Sequence, residues 1–546
     1  MICIGIALLL AAGEAWAQDE EILRAARYLS GASSEEEVDE YWITRLEARV
    51  GRRIRINEKT VRADGLLSDY QLASLADYRA RCGDVLSWEE LSLVDGFSRE
   101  AVDALRPFLS LDSSRLPGQA DTGRVQVHTL VRGTLSSLGG KARAQGERWR
   151  AGGAWRGSDG TFYAEGTWRG HRLLLGDFNL RQGQGLAYWS GFSMSSLSTV
   201  DAFIRRTSGV SPVWSYTSSS VYRGGVYEYR SAHWRGLAFG SLSGQFGTHA
   251  DWLGRHGQAG LTIGWDTKNL TGHLLLSADT RWNWRGTDLC AEVAWKNGSV
   301  GGLMAFRRSL GPLKLALQGR AIPSRFSGKK NGEYALAAGL SCQSGRWKSL
   351  AGKTGFGSSV PEHRASLTVD AALLPIPSTG TPHRLQVRGY ALWQWQFAAA
   401  WSLELRLTER YRNYEYPRTD LRADLRFSNG PWWAAARLEG VHCKDFGFLN
   451  YWESGYRKER GWAVYLRLTG FVIDNWDDRI YSYERDAPGT FSIPAYSGRG
   501  GMVSLVGSWQ HPFRRFTLKT YLRGSWMVRK DRTPTPGLYL QCHCDW

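Results

Sequence analysis

The sequence predicts a mainly β fold: a large antiparallel transmembrane β-barrel of about 18–22 strands, preceded by a small all-α domain. Three observations carry this reading. Segments of ten or more residues alternate apolar with polar side chains through most of the chain. Glycine (63) and tryptophan (26) are abundant among the 546 residues. No apolar run reaches the ~18 residues that a membrane helix needs. Such interleaving suits strands with one face toward lipid and the other toward an aqueous lumen.

The elements follow in chain order. Residues 2–13, ICIGIALLLAAG, form a short apolar core, and Ala15-Trp16-Ala17 supplies a small-x-small triplet. Residues 1–17 therefore read as a secretory signal peptide cleaved before Gln18.

Residues 18–115 read as a helical head. A helical pattern covers 20–50, with Ser33 and Ser34 as N-cap residues ahead of Glu35, Glu36 and Glu37. Short helices separated by tight turns follow over 55–111. Near their end, Val94-Asp95-Gly96-Phe97-Ser98-Arg99 has the form apolar-x-Gly-apolar-small. It resembles the hairpin of the helix-hairpin-helix module, as does the more degenerate Gly65-Leu66-Leu67-Ser68. Gly96 fits the tight turn, Phe97 the buried position, Ser98 the small position and Arg99 the flanking cation. Backbone N–H groups at such a hairpin can cradle a phosphate, so these four residues are the candidate DNA contacts. The opposing reading is a compact structural or docking module. Charge favours the latter, because residues 18–115 hold 20 Asp and Glu against 14 Lys and Arg, and phosphate affinity depends on cations.

The texture changes after Pro117-Gly118, and residues 120–546 read as the barrel. In 124–135, Val125, Val127, Thr129, Val131, Gly133 and Leu135 share one face; Arg124, Gln126, His128 and Arg132 share the other. Residues 385–397, 462–472 and 518–528 repeat the scheme, joined elsewhere by glycine-bearing turns such as Lys329-Lys330-Asn331-Gly332. The chain ends with Leu538, Leu540, Cys542, Cys544 and Trp546 on one face, resembling the C-terminal signal read by the outer-membrane barrel assembly machinery. Beyond Arg115 the chain holds 55 basic and 31 acidic residues. A basic lumen could attract anionic solutes or nucleic acid, or its arginines could pair with those acids in a filled interior.

Residues 176–192 read GDFNLRQGQGLAYWSGF, followed by YRGG at 222–225 and, near the end, by FVIDNWDDRIYSYERDAPGTF and AYSGRGGM. Together with the head, these segments resemble the helix-hairpin-helix outer-membrane proteins of Bacteroidota, in order and over about residues 20–530. The resemblance implies an envelope address and a two-part architecture. Gly176, Asp177, Gly183, Gln184, Gly185 and Arg223 mark a candidate plug or turn motif, in which backbone tucks into the lumen and 193–220 folds inward as a constriction.

No cofactor or metal site is expected. The cysteines lack CxxC spacing, Gly183 and Gly185 lack dinucleotide-binding spacing, and Asp474, Asp477, Asp478, Glu484 and Asp486 lack EF-hand spacing and read as a solvated loop. No G-x-S-x-G or paired acid/base spacing points to an enzyme. Two functions compete. The leading one, favoured by the basic lumen and the hairpin, is DNA passage across the outer membrane, with a periplasmic head catching the strand. The other is a transport or secretion accessory whose head docks a periplasmic protein. Expected partners are outer-membrane lipid, DNA or that protein, and the assembly machinery.

Overall fold

The computed structural model describes residues 18–545, except 48, 50–52, 59–60, 62–64, 113–124, 135–136, 147, 191–196, 217–220, 232, 255, 268–272, 328–331, 345–361, 375–383, 414, 459–460, 489–491, 514 and 531. The signal peptide, the Pro117-Gly118 boundary, Lys329-Lys330-Asn331 and Trp546 thus lie outside the described residues.

Successive antiparallel strands run from Gln126–Thr134 to Arg532–Asp545, and these two pair to close the barrel, with Tyr539 opposite Thr134 and Asp545 opposite His128. The wall has 24 strands, more than the 18–22 counted from alternation. The count falls short where side chains are small. Leu138–Gln145 and Trp149–Arg156 carry glycine and alanine at most outward positions, so their period of two is faint. Here Trp155 folds its ring over Gly140, where a Cβ would collide with it. Tight hairpins also merge neighbouring strands in the sequence. Arg285-Gly286 and Asn297-Gly298 place two consecutive residues at positive φ, the type I′ turn whose twist matches that of paired strands.

Lipid outside and charge inside invert the usual burial rule. In Gly257–Asp266, Leu261 and Ile263 are 65% and 56% exposed, whereas the inward Gln258 and Thr262 are buried. On the first strand Val131 is exposed outward and Arg132 buried inward. His363, Trp393, Trp395, Phe397, Trp401 and Phe427 form a continuous stack of rings, part of an aromatic girdle.

The head contains α1 (Gln18–Ser30), α2 (Glu40–Glu47), α3 (Asp69–Cys82), α4 (Trp88–Leu91) and α5 (Arg99–Leu105). Leu46, Ile56, Leu75, Val85, Leu91 and Leu105 are fully buried in its own core. Ser68 and Gln71 form a capping box on α3, and Ser87 and Ser98 cap α4 and α5. The helix expected over 20–50 is broken at 31–39. Gly31 lies at φ +67, and a Cβ there would sit 2.9 Å from the Ala202 backbone. Ser34 caps no helix through its side chain. Instead the Ser33 N–H donates to Glu37 at 3.0 Å, and Glu35–Glu37 form a single 3-10 turn.

Candidate functional site

The head sits in the lumen, held by ion pairs between its acids and the cations of the barrel wall. Glu36 is buried and accepts from Arg422 at 2.7 Å, Arg437 at 2.5 Å and the Tyr483 N–H at 3.1 Å. Asp424 bonds both guanidiniums in turn. Burial by itself raises the Glu36 pKa, but the Arg422 and Arg406 charges and these hydrogen bonds override it and hold the carboxyl at about 2. Glu35 pairs with Arg426 at 3.3 Å, and Asp39 pairs with Arg181 at 2.8 Å. At the barrel end that carries both its termini, Glu100 meets Lys314 at 2.7 Å and Arg364 at 3.0 Å. Contacts therefore run from that rim to mid-lumen, so the head is a plug. The sequence expectation of a head standing in the periplasm gives way to this placement. Two of the acids read as first-turn helix residues, Glu35 and Glu36, bind the wall.

Two barrel segments complete the filling. The first begins at Gly176, where φ is +109 and a Cβ would overlap the Phe162 carbonyl. From this kink the strand leaves the wall, so that Phe178–Arg181 pairs with the inner strand Gly209–Pro212. Asp177 anchors the departure: it accepts from Arg223 at 2.8 and 3.0 Å and from the Phe162 N–H at 2.8 Å. Gly183-Gln184-Gly185 then wraps a wall carboxylate. Glu292 receives the N–H groups of Gln184 (2.5 Å), Leu186 (3.1 Å) and Ala187 (3.0 Å). A Cβ on Gly183 would lie 2.7 Å from that carboxylate, which is why glycine stands there. Further along, Ser198 donates to Glu37 at 2.6 Å and Thr199 to the Gly31 carbonyl at 2.6 Å, so the loop braces the head. The plug-or-turn residues are thus brought together in two clusters: Gly176, Asp177 and Arg223 at the kink, Gly183, Gln184 and Gly185 around Glu292.

The second segment, 474–497, holds Asp474, Asp477, Asp478, Glu484 and Asp486, which the sequence assigns to a solvated loop, and the structure corrects this for three of them. Asp478 is fully buried and accepts from the N–H groups of Cys443 (2.7 Å), Lys444 (3.2 Å) and Asp445 (3.0 Å). Asp486 lies 3.1 Å from both Arg132 and Arg523, and Glu484 bonds Arg523 and Tyr496. Only Asp474 and Asp477 remain on exposed pairs, with Arg499 and Lys444. These carboxylates neutralise wall arginines that an empty lumen would leave unpaired.

The hairpin residues occupy one local turn. Gly96 has φ +84, Phe97 is buried, Ser98 accepts from the Ala101 N–H at 3.1 Å, and Arg99 is exposed. Gly96 is also pinned from α3, since Gln71 donates to its carbonyl at 2.8 Å. The turn faces a cavity of about 350 Å³ between head and wall, lined by Gly96 and Ser98 on one side and Arg206, Arg281, Arg307 and Lys314 on the other. The wall cations there already hold partners: Arg307 pairs with Asp201 at 2.8 Å and with Asp288.

Together, the apolar outer surface, the charged interior and the helical filling define a transmembrane β-barrel with an internal plug. No protein-family model and no curated protein matches the chain. Solved structures that align with it include outer-membrane barrels. The PapC usher in an Escherichia coli P pilus assembly intermediate is 9% identical, with a TM-score of 0.45 over 79% of this chain and 62% of the usher. OpdK of Pseudomonas aeruginosa is 10% identical, with a TM-score of 0.31 over 78% of this chain and 98% of that one. OprD of the same organism is 8% identical, with a TM-score of 0.29 over 78% and 96%. The chain thus spans about three fifths of the usher that it matches.

Proposed function

We propose that the protein is an outer-membrane channel closed by its own acidic head and opened by displacing it. The observation that carries this reading is the Glu36 carboxylate, bound at once to Arg422 and Arg437 of the wall and to the backbone of the inner loop at Tyr483. Glu35, Glu36 and Glu100 of the head mask wall cations, so leaving the lumen would bare an anion-attracting path. The periplasmic end is the one with both barrel termini, because two- to four-residue turns close it at nearly every hairpin. A partner acting from the periplasm would therefore reach the head at Glu100 and α5. The test is planar-bilayer conductance of the full chain beside a chain lacking residues 18–112. The full chain should stay closed, and the shortened chain should form a wide, anion-selective pore. A full chain that already conducts like the shortened one would sink the reading.

The narrower proposal is that the cargo is DNA, with Gly96, Phe97, Ser98 and Arg99 touching phosphates as the strand passes. The positive-φ turn, the buried Phe97 and the resemblance to the Bacteroidota hairpin proteins support it, and the acidity of the head opposes it. Salt-dependent binding of a labelled duplex by the full chain decides. If Arg99 meets a phosphate, Arg99→Glu lowers the salt slope by about 1. If binding is absent at low salt, the head is a stopper or docking module, and the search turns to a periplasmic protein.

A further inference from the structure

We propose that His249, Asp251 and Asp279 form a site for a divalent transition-metal ion of the zinc class on the inner face of the barrel wall. This inference is independent of the channel reading, because it rests on three adjacent strands and on none of the head contacts. Strand register creates the site. Asp251 stands opposite Gly260, and Gly260 opposite Asp279, so the two carboxylates flank a position that has no side chain. His249 pairs with Thr262 two residues along, on the same inward face. A Cβ on Gly260 would lie 2.7 Å from both Asp251 Oδ1 and Asp279 Oδ1, and 2.8 Å from His249 Cε1. All three side chains thus converge on the space above one glycine.

The polar atoms there are poorly satisfied by protein. His249 Nδ1 lies 2.7 Å from the Thr262 hydroxyl, which can take the Nδ1 proton and leave Nε2 as a lone pair directed inward. Nε2 faces Asp251 Oδ1 at 2.8 Å, a gap that a proton on Nε2 bridges in the metal-free chain and that a metal ion would take over by displacing that proton. Neither Nε2 nor either Asp251 oxygen has a hydrogen bond of ordinary geometry. Arg235 forms an ion pair with Asp251 through Oδ2 and is itself held by Gln182 at 3.0 Å, leaving Oδ1 turned toward the centre. Asp279 is 92% buried and has no hydrogen-bond or ion-pair partner among the described residues. The neighbouring Glu292 is occupied by backbone N–H groups and is no candidate ligand.

The donor set selects the ion. One imidazole and two carboxylates suit zinc or a similar borderline ion, whereas calcium and magnesium favour all-oxygen shells. The three ligating atoms lie within 4.8 Å of one another, and the empty position over Gly260 gives the side chains room to adjust to the ~3.3 Å spacing of ligands around tetrahedral zinc, the His249–Asp251 pair opening from 2.8 Å. Thr262 acts as the outer partner that fixes the imidazole tautomer. Three protein ligands leave one coordination position for water or a solute.

The experiment uses the full chain in detergent, stripped with chelator and titrated with Zn²⁺, with Ca²⁺ as the comparison ion. We expect one saturable Zn²⁺ per chain and no comparable Ca²⁺ uptake. His249→Gln and Asp279→Asn should each weaken Zn²⁺ at least tenfold, Thr262→Val about tenfold, and His543→Gln, on the closing strand Arg532–Asp545 away from the site, not at all. Heat-modified gel migration shows whether each variant remains a closed barrel. Zinc-edge X-ray absorption on the unaltered chain gives a readout free of variants, one imidazole with the remaining ligands oxygen. Absence of stoichiometric uptake, uptake that survives the first two substitutions, or a shell containing sulfur or several imidazoles would each overturn the assignment.

Discussion

Head and barrel bury opposite kinds of side chain, although one chain builds both. In the head, Leu46, Ile56, Leu75, Val85, Leu91 and Leu105 are hidden and the acids point outward. In the barrel, Arg181, Arg422 and Arg437 are among the largest fully buried side chains, and Leu138, Leu242 and Leu336 are 65–83% exposed. The head follows the hydrophobic effect in water, and the wall follows the bilayer. What joins them is a cost that each regime creates. A wall arginine inside a filled lumen is expensive unless paired, and the surface of a water-folded acidic domain supplies the partners. The net −6 of residues 18–115 and the net +24 of the residues beyond Arg115 are two halves of one interface.

Separating the halves should give the largest effect. Without residues 18–112 the lumen loses its central filling, and conductance should rise from a closed baseline to a wide pore. The wall should survive, because its backbone bonds run from strand to strand and close at Arg532–Asp545. Heat-modified migration checks closure of the wall while bilayer recordings check the pore. Next in size is one contact. Glu36→Ala leaves Arg422 and Arg437 facing each other with only Asp424 and neighbouring acids between them, and breaking such a buried pair costs about 3–5 kcal/mol. Protease digestion of the head, or hydrogen exchange across α1 and α2, should then show a loosened plug in an intact barrel.

Acid acts on the same contact more gradually. The docked Glu36 titrates at about 2, below the ordinary carboxylate value of 4.5. A lowered pKa means that docking favours the ionised form. Its contribution is complete above about pH 4.5 and is lost as the pH falls toward 2. Asp201, lowered by Lys314 and Arg307 against its burial, ties the inner loop to the wall with the same sign of pH dependence, apart from the head contact itself. Burial of Glu40 and Asp103 raises their pKa values and opposes it. Head protection from protease should therefore fall between pH 4.5 and 2, and Glu36→Gln should flatten that dependence. An unchanged profile in the variant would assign the transition to other carboxylates.

The barrel was legible because a two-faced wall writes its environment into every second residue, as in Val131 beside Arg132. Strands of glycine and alanine, such as Leu138–Gln145, carry no such contrast and escaped the count. Gly176 and the Gly183-Gln184-Gly185 run stood out as backbone features, but not what they approach, since Glu292 lies more than a hundred residues away. The plug contacts were harder still. Glu36 meets its arginines across 386 and 401 residues, and locally it has the pattern of a first-turn helix acid. Asp478, Glu484 and Asp486 misled for a related reason: a run of acids is soluble by composition, and only the wall arginines opposite them call for burial. The His249–Asp251 pair shared one face by spacing alone, but Asp279 joins it only through strand register.

Within the head, smaller changes test whether the hairpin is more than scaffold. Ser68→Ala removes the acceptor of the α3 capping box and should cost about 1 kcal/mol, seen as a lower midpoint for unfolding of the head. Arg99 should matter least to stability. It is exposed at the start of α5, and no hydrogen bond or ion pair holds it among the described residues. Arg99→Ala should therefore shift stability by no more than about 0.5 kcal/mol. That near-neutrality makes the position informative, because any large change in DNA binding or conductance would have to come from lost contact with cargo. Its neighbour Glu100 gives the contrast one residue along. Glu100→Ala leaves Lys314 on Asp201 and Arg364 on Gln343, cuts their ties to the head at the rim, and should loosen the plug without touching a phosphate. If Arg99→Ala changes duplex binding and Glu100→Ala changes only gating, the turn serves cargo and the helix behind it serves closure. If both change gating alone, the hairpin belongs to the stopper.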